Sequence, residues 1–496
     1  MPLSLSHLRY LFFAALFFFI SCKKDGAGVQ DHTTHGTSPD QPYQFKFIGL
    51  KKYDDRKVDI TWSAAKSGIA DTGLTYTVNL NDSLRAVNLK DTTYTLTNIY
   101  PTLTYSGEVI ATNKKGVSTK LTFVINAEKT FVYGNSSDNM FSCYALNGLH
   151  AWDQRINALA MTAISNDTLF AQGIKISTGQ REIFAINTKT GKSDWEVPDL
   201  VPSYRNATEI LYDKGIIYEV GSRDIYAFDA HTGQQLWNKT NYFLNLPAVG
   251  AGILFCIDSD VANNMFLIAY DGRTGVEKWR YKTRDETFGL PAAYDGVVYL
   301  VLSHPTENWG ARPLATLYAF DQQNGSQLWK DSFFGGVGTL GQQSRPMLIG
   351  NSLFVSANNF ESEDNNLFAI NRTDRQLIWQ KHYVSAYLFG NADGLYIDDN
   401  TNGITKLSPL TGDVIWDFRT NAYNLPGLWI FTPEHLIAHD WSDPYGGFST
   451  PTPFKVYDTA TGQQDKTLLP GISMVGSFVV IDNGKPYYAP ETGVLK

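Results

Sequence analysis

Along most of the chain, apolar residues recur at alternate positions in short runs, and the runs end at recurring turn residues. The best-formed copy is IYAFDAHTGQQLWNK at 225–239, where Ile225, Ala227 and Asp229 alternate with Tyr226 and Phe228. Such alternation, with few charges on either side, predicts a strand packed on both faces. Asp229 can accept the amides of its own turn, and Gly233, four residues on, supplies the positive φ that closes it. Trp237, eight residues after Asp229, falls on the following strand and offers a large flat surface to a neighbour.

The same spacing returns through the chain. Asn187, Gly191 and Trp195 precede the copy above; Asp271, Gly275 and Trp279, then Asp321, Gly325 and Trp329, follow it. Asn371 and Trp379 keep the spacing with Arg375 in place of glycine. Ser408, Gly412 and Trp416 continue it, and Asp458 and Gly462 end it with Lys466 where tryptophan would stand. A shortened first copy, YALNGLHAW, contributes Asn147 and Trp152. An alanine two residues before the turn residue also recurs, as Ala145, Ala185, Ala227, Ala269, Ala319 and Ala369, which implies close packing there. Intervals of roughly 37 to 50 residues are those of propeller blades. Eight copies over 128–496 therefore predict an eight-bladed β-propeller, with seven blades left open if one weak copy is an elaboration. GSFVVID near the end is placed to supply the inner strand of the first blade and so remove the exposed sheet edges.

Asp or Asn, Gly and Trp at this spacing resemble the tryptophan-docked repeats of PQQ-like proteins, both quinoprotein dehydrogenases and the propeller lipoprotein of the outer-membrane barrel assembly machine. The resemblance implies the frame. Before it, from about 43 to 127, the strings VDITWSA, LTYTVNLN, TYTLTNI, TYSGEVIATN and KLTFVIN alternate with a period of two and predict a small β-sandwich. Trp62, Tyr76 and Leu96, followed by IYPTLTY and ATNKKGVS, resemble a fibronectin type III domain. That resemblance implies a spacer or binding module, with Pro101 opening a turn and Tyr105 bonding back to the chain as a tyrosine corner.

The N-terminus has a different pattern. YLFFAALFFFIS after Arg9 is about a dozen apolar residues, short for a membrane span and suited to an export signal. Ser21 and Cys22 resemble the cleavage site of a bacterial lipoprotein, with 1–21 removed and Cys22 as the lipid anchor; Phe19 departs from the usual leucine. An ordinary secretory signal and a retained anchor are the alternatives. Residues 22–42, polar and rich in Gly, Ser, Thr and Asp, read as a flexible tether. Lys23 and Lys24 resemble lipoproteins of the Bacteroidetes type, which implies the outer membrane, on its periplasmic or its outer side.

Composition narrows the function. The chain has 496 residues, 43% of them hydrophobic, ample for sizeable cores, and its formal charge of -8 without a basic block argues against nucleic acid. A quinone-dependent dehydrogenase is the sharpest enzymatic reading. The adjacent cysteine pair of those enzymes is absent, since Cys143 and Cys256 are separate, and no calcium ligands or catalytic aspartate align. FFGGVGTLGQQ satisfies GxGxxG at Gly336, Gly338 and Gly341 but leads into SRPMLIGN instead of a helix, so it reads as a crossing between blades. DSDVANN at 258–264 and ESEDNN at 361–366 lack the spacing of an EF-hand calcium loop. No catalytic residue, metal ligand or cofactor is assigned.

Residues needed in every copy are explained by the fold, so function is sought where the copies differ. Three connections are long: 303–313, 358–366 and 439–453. They carry Trp309, Arg312, Phe360, Trp441 and Tyr445, which form the candidate binding rim. The expectation is a non-enzymatic envelope lipoprotein that binds proteins, in a role like that of the barrel-assembly lipoprotein. The alternative is an envelope enzyme or glycan-binding protein that uses the propeller funnel.

Overall fold

The computed structural model describes residues 40–487, apart from 54, 68–72, 137, 139, 201–208, 222, 242–246, 263, 283–286, 305–313, 335–344, 358–365, 383–386, 392–393, 399–402, 420–428 and 440–451. The described chain is built of strands, and no helix in it is long and apolar enough to cross a membrane. Two compact units emerge. One gathers Asp59–Leu96 and Thr104–Asn126 with the chain up to Lys51, and the other gathers Lys52–Val58, Thr97–Leu103 and the chain from Ala127 onward.

The first unit is a sandwich. One sheet has the order Phe47–Lys52, Val58–Trp62, Thr93–Leu96; the other has Ser83–Leu89, Thr75–Leu80, Tyr105–Thr112, Ser118–Ile125. Alternation in VDITW and TYTVNL puts Val58, Ile60, Trp62, Tyr76, Val78 and Leu80 inside. Trp62 and Tyr76 meet edge to face at 5.5 Å, and the Tyr76 hydroxyl accepts the Ala65 amide at 2.9 Å.

Among the described residues the second unit contains eight antiparallel blades: five are separate four-stranded sheets, blade 5 has its inner strand in two pieces, and blades 1 and 8 are joined in one nine-stranded sheet that also holds the short strand Lys485–Tyr487. Blades 2 to 8 occupy 156–198, 209–240, 248–282, 287–334, 347–382, 387–419 and 429–465, each reading inner to outer strand in chain order. Blade 1 is composite: Ser473–Asp482 is its inner strand, beside Thr130–Ser136, Phe141–Ala145 and His150–Gln154. The ring is therefore closed by residues from its two ends, and the Thr130 hydroxyl donates to Asp482 Oδ1 at 2.6 Å across that closure. Eight blades, and not seven, follow from this sheet order.

The repeat residues have one task in common. The turn carboxylate or amide accepts its own loop, as Asp271 Oδ1 does from Arg273 N, Thr274 N and the Thr274 hydroxyl. The glycine amide donates to the turn residue's carbonyl, at 2.8 Å for Gly275 and Asp271, with φ of 68° at the glycine. Six of the seven indoles reach into the next blade and donate to the carbonyl just after that blade's turn residue. Trp152 donates to Thr188, Trp195 to Ala230, Trp237 to Gly272, Trp279 to Gln322, Trp379 to Pro409 and Trp416 to Thr459, all at 2.8–3.1 Å. Trp329 lies 5.9 Å from the ring of Tyr299. The recurring alanine pairs with the tryptophan across the outer two strands, as Ala227 does with Trp237, and a bulge sets the residue before the indole out of register. Lys406 replaces that alanine in blade 7; its ammonium donates to the Thr459 carbonyl, the acceptor Trp416 also uses.

Candidate binding surfaces

In a blade of this topology the turns between third and outer strands lie on one face of the ring, and the connections between second and third strands lie on the other. His304 and Leu314, Ala357 and Asn366, and His439 and Phe454 are paired residues flanking the three long connections on that second face. Trp309, Arg312, Phe360, Trp441 and Tyr445 themselves lie outside the described residues, as do Cys22 and Gly336, Gly338 and Gly341.

Several other candidates have a structural explanation. The Asp260 carboxylate accepts Ala262 N and Asn264 N on one oxygen and Asn264 Nδ2 on the other, so N–H groups of the DSDVANN loop itself occupy both oxygens. Cys143 and Cys256 are buried free thiols on blades 1 and 4, and burial pushes both up from the ordinary thiol value. Among the described residues no three His, Cys, Asp or Glu side chains are grouped to hold a metal ion.

Two features were not anticipated. On the outer strands of neighbouring blades 6 and 7, the residues entering the strand are exposed and aliphatic: Leu377 and Ile378, then Val414 and Ile415. Leu410, in the turn on which Trp379 docks, is 77% exposed, and Leu328 of blade 5 extends the stripe. Equivalent positions are polar in three blades, Ser193 and Asp194 in blade 2, Glu277 and Lys278 in blade 4, and Gln464 and Asp465 in blade 8, whereas blade 3 has Gln235 and a Leu236 that packs on the core. A side-by-side alignment of the eight copies at six and seven residues past the turn residue would have exposed the difference.

The second feature is Glu219, 1% exposed on the second strand of blade 3. Its Oε1 accepts Gln172 Nε2 at 2.9 Å, and the same nitrogen donates to Asp199 Oδ2 at 2.8 Å. Burial first, then the hydrogen bond and charge of Asp199, push the Glu219 carboxyl up to about 9. The signal was an acid inside the apolar string IIYEVG.

The sequence profile described as outer membrane protein assembly factor BamB matches residues 102–245, 221–386 and 314–439. No curated protein matches. Among solved structures, BamB from Moraxella catarrhalis is 14% identical, covering 62% of this chain and 90% of its own, with a TM-score of 0.44. The computationally designed Ika8 protein is 12% identical over 68% and 97%, at 0.47. Quinohemoprotein alcohol dehydrogenase from Comamonas testosteroni is 12% identical over 68% and 76%, at 0.37. These likenesses carry no inference about activity. With its three overlapping profile matches spanning more than half of its length, the chain belongs to the family described as outer membrane protein assembly factor BamB.

Proposed function

We propose that this protein is a non-enzymatic scaffold of the cell envelope whose propeller docks other proteins, in an outer-membrane assembly role of the kind its family's description names. Lipid anchoring through Cys22, a tether over 22–42 and a fibronectin type III-like spacer complete the reading. The stripe formed by Leu377, Ile378, Leu410, Val414 and Ile415 carries it. Isolated exposed aliphatics are ordinary on a soluble surface, whereas a set gathered on adjacent blades, at positions that are polar in blades 2, 4 and 8, is the composition of a protein contact. The outer strands also present unpaired backbone groups along their free edge, which a partner strand can extend.

Photocrosslinking residues placed at 410 and 415 in intact cells test the docking role, with position 235 of blade 3 as the control. The expected result is a discrete envelope-protein adduct from 410 and 415 that is absent from 235. Equal, diffuse labelling from all three positions would remove the reading. Anchoring is tested separately by Cys22→Ser: loss of membrane fractionation is expected, and unchanged fractionation contradicts the lipid anchor.

A further inference from the structure

The seam between blades 2 and 3 contains an acid where the rest of the ring has none. Blade register places Glu219 opposite Tyr226, one residue before the recurring alanine; the corresponding second-strand residues are apolar, among them Ala171, Cys256, Leu300 and Val355. Glu219 lies beside Ile217, which packs with Phe170 of blade 2, and Gln172 is two residues beyond Phe170 on the same face. Glu219 and Gln172 therefore continue an apolar layer as a polar one.

The charges there do not balance. Gln172 Nε2 has two hydrogens and gives one to Glu219 and one to Asp199. Asp199 has a counter-ion, because Arg181 Nε lies 2.7 Å from its Oδ2. Among the described residues Glu219 has none; its Oε2 is buried with no hydrogen-bond partner among them, and the Leu200 amide is the main-chain donor that acts on the carboxyl group. Among the described residues, the titratable and charged groups on this face are Asp199 and Arg181 from blade 2, and Tyr226 and Asp224 from the third strand of blade 3, where Asp224 accepts the Thr240 hydroxyl. Among the described residues Glu219 and Asp199 thus lie together in a buried seam, with the Arg181 guanidinium on the Asp199 side. An ionised Glu219 would be a buried, unpaired charge facing a second carboxylate, whereas a proton on it removes the charge and supplies the missing donor.

We propose that Glu219 and Asp199 share one proton and that this proton forms a pH-sensitive latch across the seam between blades 2 and 3. Burial and Asp199 raise the carboxyl in the direction this requires. The closed seam then holds a proton that the open seam releases at neutral pH. Closure is strongest near the ordinary glutamic acid value, weakens as pH rises and levels off above the folded value.

Hydrogen exchange of the amides in Thr168–Lys175 and Ile216–Val220, corrected for the intrinsic rate, reads the opening in the full chain between pH 5 and 9. One released proton raises the opening constant about tenfold per pH unit. The expected result is that slope in the wild type and a flat profile in Glu219→Gln, whose amide supplies the donor at every pH. Infrared spectra should show a protonated carboxyl band at pH 7 that titrates away in alkali. This second measurement needs no variant, and Asp199→Asn should lower its midpoint. A flat wild-type profile, or no such band at pH 7, overturns the proposal. So does stabilisation of the wild type by added sodium or calcium that Glu219→Gln abolishes, because a metal ion would then take the place of the proton.

Discussion

Gly275→Ala puts a methyl group where one blade meets the indole of another. Two costs can be read from the geometry. The backbone there has φ of 68°, and an L-residue held in the left-handed region costs about 1–2 kcal/mol. The new β-carbon would also lie 2.7 Å from Trp237 Cδ2 and 2.8 Å from Cγ, inside any normal contact, and overpacking of that kind costs about 1–3 kcal/mol. Gly296 separates the two costs: its φ is 83°, yet a β-carbon there meets nothing within 4 Å. Gly296→Ala should lose only the backbone cost, and Gly275→Ala about 1–3 kcal/mol more. Denaturant unfolding monitored by tryptophan fluorescence and by circular dichroism measures both losses, with agreement of the two probes checking that one transition is being read. In a Trp237→Ala background the excess should vanish, since the two residues act through one contact. Equal losses at Gly275 and Gly296, or an excess that survives Trp237→Ala, would refute close docking of indole on turn.

Other consequences follow from the same contacts. Arg375 holds the glycine position of blade 6 at φ of 66° and lies 3.7 Å from Asp331, so Arg375→Gly should gain about 1 kcal/mol of stability: relief of about 1–2 from the backbone, less about 0–1 for the exposed ion pair. Truncation after Gly471 removes the inner strand of blade 1; the product should aggregate in size-exclusion chromatography, whereas a folded monomer would contradict the closure. Asp271 is held below the usual carboxylate range by the Thr274 hydroxyl and then by the Thr274 and Arg273 amides. Its contribution is present above the unfolded value near 4 and lost as pH falls through the folded one, so Asp271→Asn should lower stability at pH 7 and make the further loss of stability on acidification smaller.

The repeat was readable because its chemistry is local. Asp229 and Gly233 close a turn within five residues, and the spacing to Trp237 is fixed by the strand that follows. The placement of GSFVVID in blade 1 was readable too, from the ring's need for a partner at its open edge. What the indole contacts was harder to see: the acceptor is a main-chain carbonyl 30–43 residues away, and a carbonyl has no signature in sequence. Leu410 and Ile415 were overlooked because an exposed aliphatic in one strand looks like core until the eight copies are aligned by register. Glu219 was hidden in a different way, since its partners Gln172 and Asp199 come from another blade. Trp309, Arg312, Phe360, Trp441 and Tyr445 were chosen because they do not repeat, and that logic also selects the aliphatic stripe of blades 6 and 7.

The most direct test takes an envelope protein captured at positions 410 and 415 and measures its affinity for the wild type and for Leu410→Asp with Ile415→Asp. Both side chains are more than half exposed, so the double variant should unfold at the wild-type denaturant midpoint. Two charges placed in an apolar contact should weaken binding at least tenfold, about 1.4 kcal/mol or more. Unchanged affinity in a normally folded variant would contradict the claim that the propeller docks its partners through this edge.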